Sequence, residues 1–256
     1  IWEYFYADGR PKSVENVQND TVYLQSFWKD DSTHSQTIIK GNGQIANYFV
    51  NGVVKESYTF KDGLKTGPFE ERTANGVLSV GGSFEKGKKD GIWEFYNFFG
   101  NLEKRVGYHL DSLHGSYLVM VNEFDTLTFG HYEMGLKSGH WKWYSEAGKI
   151  DMEGHFKNGK QDSIWHYYFS SGQLSYIAHY KDDLRTNKWT YYYPNGALYR
   201  TGNYLNDLRT GIWQTWYEDS TLLMMGRYVD GKEEGEWLNY WENGRLKDKT
   251  TFSQGQ

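Results

Sequence analysis

The sequence predicts an all-β protein, an elongated repeat array of antiparallel β-hairpins. Three observations lead there. Aromatic residues make up 18% of the 256 positions, with 29 Gly and only 3 Pro, a composition suited to short strands joined by tight turns. A fixed interval of 24 residues recurs: stepping from Gly43 reaches Gly67, Gly91, Gly115, Gly139, Ser163, Asn187, Gly211 and Gly235 without insertion or deletion. Within each interval the apolar residues alternate with period two, the pattern of a strand with one buried face.

Each interval reads as one hairpin. Its first strand is expected over positions 2 to 7 and its second over positions 11 to 19. The third position reads Ile45, Phe69, Trp93, Tyr117, Trp141, Trp165, Trp189, Trp213, Trp237, and the eighteenth is aromatic throughout, from Phe60 to Phe252. The tenth is Gly except at Phe124 and Ser220, which places a turn needing positive φ there. A second turn, such as Lys157-Asn158-Gly159-Lys160, leads into the next hairpin. In the second strand, positions 12, 16 and 18 share a face. Position 16 is small (Gly82, Gly130, Gly154, Ala178, Gly202, Gly226), leaving room for a neighbouring Trp. One hairpin cannot bury its apolar face alone, so the nine units are expected to stack into a twisted single-layer or solenoid-like sheet.

The expected division is residues 1–42, a partial repeat plus an irregular β insertion, and residues 43–256, the nine tandem units. In the first part, Trp2, Phe5 and Gly9 stand where a unit would place them. The unit from Gly115 departs most, with Met120, Phe124 and Thr126 replacing the usual Tyr, Gly and Leu, so a distorted turn or a docking point is expected there.

Composition narrows function. A net charge of −5 without a Lys/Arg run argues against nucleic acid or anionic lipid as a partner. The absence of Cys excludes disulfides and thiolate zinc sites. No apolar run approaches the roughly 18 residues that cross a bilayer, so no membrane insertion is expected. The initial Ile and the lack of Cys fit a processed cell-envelope chain, periplasmic or surface-exposed, somewhat better than an excerpt of a cytoplasmic one.

Three motifs invite chemistry. Gly82 to Lys88 has the frame of a phosphate-binding loop, but that frame recurs at Gly154 to Lys160 and Gly226 to Lys232, in step with the period. A phosphate loop needs a single strand-to-helix junction, so this is turn punctuation. His131, His155 and His179 occupy position 17 of consecutive units. Equivalent positions lie about 9.6 Å apart, too far to share one zinc ion at about 2.0–2.1 Å, so no metal is expected. The position-3 Trp series is expected to be packed interior. No nucleophile elbow or metalloprotease pattern occurs, so neither catalytic residues nor a cofactor are expected.

Positions 5 and 7 differ. Trp143, Tyr167, Tyr191, Tyr193, Tyr217 and Trp241 occur only in the later units, where earlier ones place Asn47, Glu71 and Asn97. Aromatics that the fold does not require in every unit are candidates for an interaction surface.

The unit resembles the bacterial variant of the MORN repeat, G-x-W-x-x-Y-x-x-x-G-x-L-x-x-x-G-x-Y. Gly91, Trp93, Tyr96, Gly100, Leu102 and Tyr108 match it, as do Gly235, Trp237, Tyr240, Gly244, Leu246 and Phe252. Such arrays are similar to proteins catalogued as YwqK-like antitoxins. The resemblance implies a non-catalytic scaffold or binding surface. The expected role is therefore a scaffold presenting an aromatic-rich surface to a protein partner, as a subunit of a larger assembly. A glycan-binding module and an antitoxin-like neutralising protein are the alternatives.

Overall fold

A computed structural model describes residues 1–256. Every regular element is a strand, and every pairing between strands is antiparallel. Two compact units divide between Phe124 and Asp125, at the turn of the departing hairpin. None of the elements is a helix long and apolar enough to cross a membrane.

In the first unit, Ile1–Phe124, successive strands from Trp2–Phe5 to Ser112–Met120 each pair with their sequence neighbours. The segment expected to be irregular carries the strands Thr21–Trp28 and the short Gln36–Ile39. In the second unit, Asp125–Gln256, the same meander runs from Thr126–Glu133 to Leu246–Phe252.

Two turn types alternate. The first joins strands through two residues at positive φ, as at Asn158 (52°) and Gly159 (80°), the conformation whose twist matches that of paired strands. Where Asp replaces the second Gly, its carboxylate offsets the strain by accepting a backbone N–H from the preceding hairpin. Asp183 accepts from Gln161 at 2.6 Å and Asp207 from Arg185 at 2.9 Å. Backbone bonds extend the same edge, Gly159 N–H to Lys137 O at 2.9 Å and Gly231 N–H to Arg209 O at 2.9 Å. The second type is wider. At Ser145 to Lys149 the Gly148 N–H bonds Ser145 O at 2.9 Å, and Gly148 takes φ 74°.

Ser220 holds that Gly position at φ 72°, a region that costs an L-residue about 1–2 kcal/mol. Ser220→Gly is expected to raise stability by about 1 kcal/mol after Gly's own entropic cost, read as a shift of the urea midpoint at unchanged slope.

One expectation is corrected. The first strand is longer than positions 2 to 7: Lys160–Tyr168 begins directly after the tight turn, and Ser163 lies within it at φ 64°. Pairing steps from Glu153↔His166 to His155↔Asp162, so residues 163–165 lie against Gly154 alone. The opening residue is therefore a bulge. It needs positive φ, and it kinks the strand so that the following Trp folds over its neighbour.

That fold-over makes the core. A Cβ built on Gly154 would lie 2.1 Å from the Trp165 ring, and one on Gly202 would lie 2.0 Å from Trp213. Position 16 is thus small because an indole rests on its backbone. Trp141 and Trp165 are only 1% exposed, and the Trp165 indole N–H donates to His155 O at 3.2 Å.

Candidate functional site

In the second unit the position-3 Trp and position-18 aromatics alternate edge to face. Ring centroids are 5.1 Å apart for Phe156–Trp165, 6.1 Å for Trp165–Tyr180, 5.3 Å for Tyr180–Trp189 and 5.2 Å for Trp189–Tyr204. This is the preferred geometry of aromatic quadrupoles, and it runs on to Phe252. Cations cap the rank. Lys137 Nζ lies 4.5 Å from the Trp141 ring centre, and the Arg209 guanidinium 4.9 Å from that of Trp213. These rings are structural interior.

Beside them runs a second rank on the same face, since residues two apart in a strand point the same way. Trp143, Met152, Tyr167, Tyr176 and Tyr191 are direct cross-strand partners in succession. All five are half-buried and pack against the Trp core. Their rings lie nearly parallel. Tyr167 and Tyr176 stack at 4.1 Å and 10°, Tyr176 and Tyr191 at 5.5 Å and 29°, and Trp143 stacks on Trp165 at 5.8 Å and 25°. Ring faces are thus turned to one another. Burial, reinforced by Tyr167, pushes the Tyr176 hydroxyl up to about 12, and burial with Tyr204 raises that of Tyr191. Both stay neutral hydrogen-bonding groups across the physiological range.

The aromatic stretch ends at Arg200, which pairs with Tyr191 and donates to the buried Thr215 hydroxyl at 3.1 Å. In the first unit the equivalent rank is Asn47, Glu56, Glu71, Val80, Phe95, Lys104 and Val119, with a single aromatic ring and with the Asn47 amide donating to Glu56 at 2.9 Å.

The six residues singled out in the sequence therefore fall in two places. Trp143, Tyr167 and Tyr191 lie on the rank. Tyr193 and Tyr217 lie at the wide turns, where their hydroxyls donate to Trp216 O at 2.8 Å and Tyr240 O at 2.9 Å, tying each hairpin to the next. Trp241 is 52% exposed, with Lys247 Nζ 4.6 Å from its ring centre. Met152 and Tyr176 escaped sequence reading. They stand at position 14, whose even parity with positions 12, 16 and 18 would have placed them on this face.

The opposite face is polar. His155 stacks on His140 at 4.8 Å, and His140 Nε2 lies 3.1 Å from Glu153. His179 instead meets Lys188 O at 2.6 Å. Burial and the neighbouring His155 pull the His140 imidazole below its usual range.

A sequence model of the MORN repeat variant matches residues 137–158, 161–182, 185–206 and 233–254, in step with the 24-residue period. No curated protein matches the chain. Among solved structures, a GtfA/B complex bound to UDP and GlcNAc is similar at 14% identity over 44% of this chain and 22% of its own, with a TM-score of 0.21. A TcdB2-TccC3-Cdc42 structure is similar at 11% identity over 95% of this chain and 16% of its own, at 0.22. A Photorhabdus luminescens Tc holotoxin pore is similar at 13% identity over 88% and 16%, at 0.19. The chain spans less than a quarter of the length of each.

Proposed function

We propose, from the premise that this chain is a MORN-type repeat protein, that it is a non-catalytic scaffold whose second unit docks a protein partner on its aromatic rank. The observation that carries the reading is the rank itself, Trp143-Met152-Tyr167-Tyr176-Tyr191, continuous in one unit, whereas the other has Asn47, Glu56, Glu71 and Lys104 with the single ring of Phe95. Half-buried Tyr and Trp with a flanking Arg have the composition of interface hot spots: apolar area at little cost in side-chain freedom, with hydroxyls for hydrogen bonds. Sugar recognition stacks an exposed ring face against the ligand. Here Tyr167 and Tyr176 cover each other's faces at 4.1 Å and present edges, which favours a protein over a glycan.

The test is photo-crosslinking in the source cells. Benzophenone placed at Tyr167 or Tyr191 is expected to capture a discrete protein. The same group at Ile164 or Ile212, exposed on the opposite face, should not. Equal capture from both faces, or capture of polysaccharide alone, rejects the reading.

A further inference from the structure

The first unit contains a hollow of about 630 Å³ that the scaffold reading leaves unused. Its origin is a break in the core pattern. Ile45 stands where later hairpins place Trp, and Tyr58 occupies the position held by Gly154 or Gly202 elsewhere. Tyr58 itself stacks on Phe69 at 5.1 Å and 26°. The volume that an indole would fill is left open, walled by Tyr6, Phe27, Tyr58 and Phe60.

Three lysines from separate strand regions line this hollow: Lys12, Lys29 and Lys65. None is in an ion pair. Two carboxylates, Asp30 and Asp31, line the hollow with them, and both are engaged, as is Glu56 beside Tyr58. Asp30 takes the Arg10 guanidinium at 3.0 Å, and Asp31 accepts the backbone N–H groups of Thr33 and His34 at 2.9 and 3.0 Å. Glu56 accepts the Tyr58 hydroxyl at 2.6 Å and the Asn47 amide at 2.9 Å. Lys65 Nζ sits 3.7 Å from the Tyr58 ring centre, half-buried, and burial holds its ammonium below the usual lysine range.

A desolvated ammonium gains from a compact negative charge, and aromatic walls accept a planar apolar body. We infer that this hollow binds a small organic anion with an aromatic body, its negative group held by Lys12, Lys29 and Lys65 and its ring against Phe27 and the edge of Tyr58, whose faces Phe69 and Lys65 cover. The site lies in the unit without the aromatic rank, so it stands or falls independently of partner docking.

The probe is 4-hydroxyphenylacetate, compared by calorimetry with its neutral amide and with tyramine, which carries the opposite charge. The acid is expected to bind the full chain at least about tenfold tighter than the amide, and tyramine not at all. Lys65→Gln and the Lys12→Gln/Lys29→Gln pair should each lose at least about tenfold in affinity. Lys160→Gln/Lys232→Gln, in the other unit, should lose nothing. Circular dichroism and urea midpoints check that each variant is folded, and the pair of exposed Lys12 and half-buried Lys29 carries the test if Lys65→Gln disturbs packing. No binding by about 10 mM acid, equal binding of the amide, or equal loss in the distant pair overturns the assignment.

Discussion

Replacing Trp165 by Ala is expected to cost about 3–5 kcal/mol, measured as the loss of unfolding free energy in urea. The indole is 1% exposed, lies between Phe156 at 5.1 Å and Tyr180 at 6.1 Å, and covers the Gly154 backbone. Its removal opens a cavity that both flanking hairpins border, and it orphans the His155 carbonyl that received its N–H. Trp237 gives a graded comparison. Its indole nitrogen has no hydrogen-bond partner, so Trp237→Phe forfeits area and no bond, whereas Trp165→Phe forfeits both. If Trp165→Ala unfolds at the wild-type midpoint, the edge-to-face rank is not what holds the hairpins together.

Gly154→Val is expected to destabilise by about 3 kcal/mol, from the opposite direction: too much volume. A Cβ at that position would meet the Trp165 ring at 2.1 Å, and a β-branched side chain has no rotamer that avoids it. The chain itself contains a milder version. Ala178 carries a methyl beneath Trp189, and there the facing strand is interrupted at Thr186, leaving Leu184–Arg185 and Asn187–Tyr192 as separate pieces. One methyl beneath an indole thus coincides with a local break in pairing, and two more methyls would press further into the Trp165 ring. Near-ultraviolet circular dichroism of the Trp bands, read with the urea midpoint, checks the expectation. An unchanged spectrum with an unchanged midpoint rejects it.

Much of this was readable in the amino-acid sequence because the period repeats its own controls. Trp at position 3 and a small residue at position 16 recur together, so their contact follows from the sequence pattern, and the Gly154–Trp165 overlay has that form. The role of the opening Gly was not readable. A positive φ is the same requirement in a turn and in a bulge, and only the step in pairing opposite Gly154 distinguishes them. The candidate surface was half legible. Trp143, Tyr167 and Tyr191 stood out because they follow one another in consecutive units, whereas Phe95 stands alone among the earlier ones, but Met152 and Tyr176 reach the same rank from the returning strand. Tyr193 and Tyr217 looked equivalent to them, yet their hydroxyls are spent on the carbonyls of Trp216 and Tyr240, a pairing 23 residues apart that no local pattern reveals. The hollow over Ile45 was invisible for a plainer reason, since an absent indole leaves no mark except a smaller letter.

The Trp-on-Gly overlay also governs how such a chain can change length. Each indole rests on the residue eleven places before it, as Trp165 does on Gly154 and Trp213 on Gly202. Excising a whole 24-residue cassette rejoins an indole to an equivalent seat, so the array can shrink or grow by complete rungs. Excising one residue fewer swaps the sides of every side chain up to the next correction, putting lysines where indoles belong. Lineages carrying this architecture are therefore expected to differ by whole cassettes, with stray insertions confined to the tips of the wide turns.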